Sequence, residues 1–197
     1  MTIAGLVATR GLAVADIGPG EVDLCRELAG EAARADRWNL AWQLTYTAGT
    51  VVQFGLAAAE VTDRDTTQTL WIGGASTAVG ALGAWLTPLE IEVPSGSACR
   101  DRDAVLRATE RAAAEERQAF WLLHLGGLVV NGGAAVVTAE RVSWQAGVLS
   151  FALGYPVSLL QIYTMPRAMW RRSRESSLTA HVVADDRRLA VVLGGSF

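Results

Sequence analysis

A few polar side chains inside long neutral segments are the residues best suited to chemistry in this 197-residue chain. His124 is the one ionisable residue in these segments, and it lies seven residues before Asn131, so the two share one helical face. Tyr46 and Gln53 repeat that spacing, and Gln43 lies one turn before Tyr46. If the two faces meet inside a membrane, they form a polar seam that could carry a proton or a small solute.

The same polar groups have a structural interpretation. Side chains that hydrogen-bond one another inside a membrane fix the register of neighbouring helices, at roughly 1 kcal/mol per bond. We favour this interpretation, because the neutral segments contain no Asp, Glu or Arg, which coupled transporters commonly use. A bis-histidine haem site would need a second membrane histidine, but His181 lies in the tail.

The two cysteines, Cys25 and Cys99, are the other reactive residues. A disulfide between them would require an oxidising compartment, and two free thiols are the alternative. Two cysteines and two histidines this far apart in sequence do not make a zinc site. A membrane enzyme with its site near Cys99 and Arg100 is a third, less favoured interpretation of the chain.

Other catalytic patterns are missing from the sequence. It has no glycine-rich phosphate loop and no serine nucleophile elbow outside the neutral segments. The adjacent carboxylates Glu115 and Glu116, and likewise Asp185 and Asp186, are interpreted as solvated pairs. We therefore predict no enzyme activity, no catalytic residue, no cofactor and no metal.

Four charge-free segments of 22 to 25 residues must position these groups. About 20 apolar residues cross a roughly 30 Å hydrocarbon layer as a helix. The 17 basic residues, all Arg, and the 20 acidic ones lie elsewhere, whereas soluble bundle helices keep a charged outer face. The net charge of −3 argues against nucleic-acid binding, and the apolar content against disorder. The predicted spans are 38–59, 66–89, 118–139 and 142–166.

Small residues follow one face of the second and fourth spans. In lipid, helices associate through the close backbone approach that such residues allow. We predict that this face packs against neighbouring helices. Its members are Gly73, Ser76, Gly80, Gly83, Gly147, Ser150 and Gly154.

Two offsets predict an internal duplication. An offset of 78 relates the polar faces of the first and third spans, and an offset of 74 relates the small-residue faces of the second and fourth. The predicted fold is therefore an all-α membrane protein, a four-transmembrane-helix bundle built of two duplicated helical hairpins. The second offset carries Gly73, Ser76 and Gly80 onto Gly147, Ser150 and Gly154.

Charged segments flank the membrane domain, which spans 38–166. Residues 16–37 and part of the 90–117 loop are predicted to form extramembrane helices, and residues 1–15 look like a signal segment. Residues 167–197 are predicted to form a basic juxtamembrane segment followed by a β-hairpin. The arginines expected to contact lipid headgroups are Arg167, Arg171, Arg172 and Arg174.

These features predict a non-enzymatic, multi-pass membrane protein of the bacterial inner membrane. Its expected role is a structural, assembly or interaction subunit, with the extramembrane helices and tail contacting a protein partner or a second copy. A small carrier or channel-like protein using the polar seam is the alternative. The N-terminus, central loop and tail share one side of the membrane, and a cysteine disulfide would favour the periplasm for that side.

Overall fold

The computed structural model describes residues 19–185 and 188–195, with side chains described over 23–175. The predicted signal segment at 1–15 lies outside the described residues. The prediction of a helical protein is confirmed for the described part of the chain. The elements are α1 (Pro19–Ala58), α2 (Arg64–Leu86), a 3-10 turn (Gly96–Arg100), α3 (Arg102–Arg141), α4 (Trp144–Thr164), α5 (Ala168–Ser177), β1 (Leu178–Asp185) and β2 (Arg188–Gly195).

Three of the described helices, α2, α3 and α4, are long and apolar enough to cross a membrane. This confirms three of the four predicted spans at that level. The first predicted span, within α1, does not meet the same criterion. Its charge-free half is diluted by polar side chains, among them Asn39, Gln43, Tyr46 and Gln53.

A capping residue and a proline set the two ends of α2. Asp63 accepts the backbone N–H groups of Asp65 and Thr66, which starts α2 two residues earlier than predicted. The Thr66 backbone hydrogen bond holds the pKa of Asp63 below its usual range. Pro88 disfavours helical backbone at the residue before it, so α2 ends at Leu86 rather than at 89.

Both long helices, α1 and α3, continue without interruption from a charged half into a neutral half. Their charged halves, residues 19–37 and 102–117, pack with the 87–101 loop and α5 into a unit that we call the cap. Its core contains the fully buried Leu28 and Met169. The cap therefore joins one end of each of the helices α1, α2, α3 and α4.

The two tail strands pair antiparallel, with Leu178 opposite Gly195 and Asp185 opposite Arg188. The neighbouring turn at 186–187 lies outside the described residues. The β-hairpin predicted for the tail therefore stays a prediction.

Candidate binding cleft

Four helices line a cavity of about 680 Å³ beside their charge-free segments. α1 packs along α2, and α3 packs along α4, so the chain forms two helical pairs. The cavity, which we call the cleft, lies between the two pairs and receives residues from all four helices.

Hydrogen-bonding side chains line the cleft from all four helices. They include Tyr46 and Gln53 of α1, Ser76 and Thr77 of α2, Asn131 of α3, and Ser158 and Gln161 of α4. Three of the predicted seam residues therefore line one space, together with two residues of the fourth span. Much of the remaining wall is Gly, Ala, Leu and Val.

In the first helical pair, Gln53 of α1 lies against the glycine face of α2. Its Oε1 occupies the position that a Cβ at Gly73 would need, and its Nε2 donates to Thr77 Oγ1 at 3.5 Å. A Cβ at Gly49 would lie 3.7 Å from Thr77 Cγ2. The absence of a side chain at Gly73 is what lets the amide reach this position.

The second helical pair contains the same arrangement. Asn131 Oδ1 occupies the space next to Gly154, and Asn131 Nδ2 donates to Ser158 Oγ at 2.9 Å. A Cβ at Gly127 would lie 2.8 Å from Ser158 Cβ. Each pair thus contains an amide, a facing glycine, a hydroxyl and a second glycine, and all of these except Gly49 line the cleft.

These contacts correct the predicted offset for the second and fourth spans. Gln53 and Asn131 are related by 78, as predicted, but their facing glycines, Gly73 and Gly154, are related by 81 rather than 74. Gly147, which the offset of 74 makes equivalent to Gly73, packs on Ala139 instead. The offset of 74 is therefore wrong for the helix contacts.

The cap end of the cleft is closed by hydrogen bonds between the two pairs. Tyr46 donates its hydroxyl to Gln161 Oε1 at 2.8 Å, and the Trp38 indole donates to the Gln161 carbonyl at 3.2 Å. The Trp42 indole donates to Thr164 Oγ1 at 3.4 Å. The junction between α1 and α4 therefore rests on polar contacts near the cap.

Two of the five predicted seam residues do not line the cleft. His124 Nδ1 lies 3.2 Å from the Phe120 carbonyl, and its ring contacts Phe120 and Tyr163. Gln43 donates to the Ala84 carbonyl at 3.0 Å and so joins α1 to α2. The prediction that His124 completes a central seam does not match this placement.

The predicted small-residue face has two roles in the structure. Gly147 is buried against α3, where an added Cβ would lie 2.6 Å from the Ala135 carbonyl oxygen. Gly80 lies against the Tyr46 ring, with 3.0 Å to an added Cβ. The members of the predicted face that line the cleft are Gly73, Ser76, Gly80, Gly83, Ser150 and Gly154.

A second group of functional interest lies in the cap, where two buried carboxylates meet the first turn of α5. Glu31 Oε1 accepts the Ala168 N–H at 2.7 Å, and Glu116 Oε2 accepts the Trp170 N–H at 2.7 Å. Burial, with a smaller contribution from the negative charge of Glu31, raises the pKa of Glu116 to about 7 despite the lowering effect of the backbone hydrogen bonds from Trp170 and Met169.

The sequence interpretation of Glu115 and Glu116 as a solvated pair is wrong for Glu116, which is fully buried, while Glu115 is exposed. A signal for this burial was available. Glu116 extends the buried stripe of Val105, Ala108 and Ala112 at helical spacing. Its adjacency to Glu115 suggested a solvated pair, but helical phase decides which of the two is buried.

The cysteines and the basic cluster lie in the cap. Cys25 and Cys99 form a disulfide, with Cα atoms 5.7 Å apart. Arg167 lies over the Phe120 and Tyr163 rings, and Arg172 pairs with Glu27. Lipid-headgroup contact by these arginines stays a prediction.

Within residues 19–185 and 188–195, no group of three His, Cys, Asp or Glu residues could hold a metal ion. No family model matches the chain, and neither a curated protein nor a solved structure matches it. A function for this chain must therefore be inferred from the residues of the cleft and the cap themselves.

Proposed function

We propose that the protein is a multi-pass integral membrane protein that binds an uncharged, drug-sized molecule in the cleft between its two helical pairs. The cleft carries the proposal, because it places hydrogen-bonding side chains from both pairs around one space. In this proposal the protein has no chemistry of its own, and its role is that of a small carrier or receptor.

The size of the cleft suits a drug-sized molecule. Binding sites for such molecules commonly measure about 300–1,000 Å³, and the cleft measures about 680 Å³.

The lining favours an occupant without formal charge. Its described polar groups are amides and hydroxyls, which both donate and accept hydrogen bonds, and its charged member is the exposed Glu115 beside the cap. An ion at membrane depth would need a compensating charge. A neutral molecule with an apolar body and a few hydroxyl, carbonyl or amide groups fits this wall.

Filling the cleft tests this proposal. We expect Ser76→Trp, which places an indole in the cleft, to reduce saturable binding of the uncharged fluorophore 1-aminoanthracene at least about 10-fold, since that probe needs the same volume. Binding would be measured by fluorescence titration of the protein in lipid nanodiscs. Ala75→Trp is the matched control, because Ala75 is exposed and does not line the cleft. Equal binding by both variants would count against the cleft as the site.

The surface of the spans supports insertion in a membrane. Large apolar side chains on α3 and α4 are strongly exposed away from the cleft, including Val129 at 72% and Val148 at 60%. In water such a surface would be an association site, whereas in lipid it is the normal exterior. We propose that α1 also crosses, with its polar side chains turned to α2 and the cleft, which completes the predicted four-helix domain.

We expect the protein to stay in the membrane pellet after alkaline carbonate extraction, because its exposed apolar belt is held by lipid rather than by ionic contacts. Immunoblotting of pellet and supernatant measures this, with a peripheral membrane protein as the released control. Recovery of the chain in the supernatant would contradict membrane insertion.

An assembly or interaction subunit is the second candidate function. It is favoured by the cap, in which the Cys25–Cys99 disulfide fixes a surface outside the membrane domain. A protein partner or a second copy would bind there or at the tail. The disulfide supports an oxidising compartment for the cap, and we propose the periplasmic face of a bacterial inner membrane.

A further inference from the structure

Two buried carboxylates from different helical pairs converge on one helix terminus in the cap. Glu31 of α1 is 1% exposed and Glu116 of α3 is 0% exposed. Between them they accept the N–H groups of Ala168, Met169 and Trp170, the first three residues of α5. The docking of α5 therefore depends on these two side chains.

The charges around the pair do not balance if both carboxylates are ionised. Arg34 donates to Glu31 from the same helix, but the arginine is half exposed, so water screens its charge. The α5 terminus contributes the equivalent of about half a positive charge. These groups offset at most about one and a half of the two negative charges, which leaves the second carboxylate under-compensated in a buried site.

Other charged groups around the pair either contact different residues or are exposed to solvent. Arg172 of α5 pairs with Glu27 of α1, and the Arg167 guanidinium lies over the rings of Phe120 and Tyr163. On the loop before α3, Glu92 pairs with Arg111. On α3 itself, Glu115 and Arg117, which flank Glu116, are both exposed.

We propose that the Glu31–Glu116 pair is a proton-binding site, and that one shared proton keeps α5 docked on the cap. Their carboxylates accept consecutive N–H groups of one helix terminus, so a single proton shared between them removes one of two neighbouring negative charges. When that proton leaves, two negative charges face each other in a buried site, and α5 is released from its two anchors. Burial raises the pKa of Glu116 to about 7, which places this change near neutral pH.

The sign follows from the direction of the shift. A carboxyl with a raised pKa in the folded state binds protons better there than in the released state. Docking is therefore stabilised below the ordinary carboxyl pKa and weakens as the pH rises through about 7. Release would expose Met169, which is buried in the cap core, and free the basic segment that follows α4.

Hydrogen exchange of the full-length protein in nanodiscs, with the disulfide intact, tests the latch. We expect the protection factor of α5 amides, corrected for intrinsic exchange, to fall at least about 10-fold between about pH 5.5 and about pH 8.5. Glu116→Gln, which resembles the neutral form, should keep α5 protected at both values. Glu31→Gln should weaken the pH dependence, because the charge of Glu31 no longer raises the pKa of Glu116 while its burial still does.

Glu115→Gln is the matched control, since it removes an exposed carboxylate one residue away and should retain the wild-type response. The proposal is overturned if α5 protection in the wild type is independent of pH, or if Glu116→Gln still shows the full response. It is also overturned if Glu116→Gln loses protection at both pH values while the α3–α4 amides stay protected, because the ionised carboxylate would then be the docking form.

Discussion

Reduction of the Cys25–Cys99 disulfide is expected to lower the melting temperature of the purified protein by roughly 4–16 °C. The bond joins residues with a sequence separation of 74. A disulfide typically stabilises a protein by about 2–4 kcal/mol, chiefly because the cross-link restricts the unfolded chain. For a chain of this size, each kcal/mol changes the melting temperature by roughly 2–4 °C.

The measurement is tryptophan fluorescence during heating, in lipid nanodiscs, with and without reductant. A Cys25→Ser/Cys99→Ser double variant should melt at the lower temperature in both conditions, which separates the bond from other effects of the reductant. If the wild type melts at the same temperature after thiol titration shows two free cysteines, the bond contributes nothing to cap stability. The same titration on protein from untreated membranes reports whether the native compartment is oxidising.

The apolar spans were predictable because lipid imposes a constraint that sequence shows directly. A helix that crosses a membrane cannot present a row of charges to lipid, and α2, α3 and α4 each contain a long neutral segment of the kind this requires. The first predicted span, in α1, has a lower mean hydropathy because it contains Gln43 and Gln53. Both glutamines are polar, yet both form hydrogen bonds with α2. The mean hydropathy of a segment does not distinguish a polar residue that faces a partner helix from one that faces lipid.

Helical phase predicted which residues share a face of one helix, but not which residue of the adjacent helix each of them contacts. His124 and Asn131 share a face of α3, yet Asn131 meets Ser158 of α4 while the His124 ring lies near Tyr163. The position of a residue along the helix axis decides which residue of the neighbouring helix it contacts, and that depends on the register between the two helices. The register is a property of the packed pair, so the periodicity of either helix alone does not contain it.

The glycine contacts support the proposal that the two helical pairs are duplicated copies. Gln53 with Gly73 matches Asn131 with Gly154 when the second helix of each pair is offset by 81 residues. The predicted offset of 74 differs from this by seven residues, which is two helical turns. A shift of two turns preserves the face, so similarity of small-residue patterns alone could not choose between the two offsets.

Gly147→Ala is expected to lower the melting temperature by roughly 3–10 °C, because one methyl group would separate α4 from α3. The added Cβ would lie 2.6 Å from the Ala135 carbonyl oxygen and 2.7 Å from Ala139 Cβ. Overpacking of this kind costs about 1–3 kcal/mol, and backbone atoms cannot rotate away as a side chain can. Gly133→Ala, also within a helix of this pair but with no atom near its added Cβ, should melt at or slightly above the wild-type temperature. Equal melting of the two variants in nanodiscs would mean that α3 and α4 do not approach each other at Gly147.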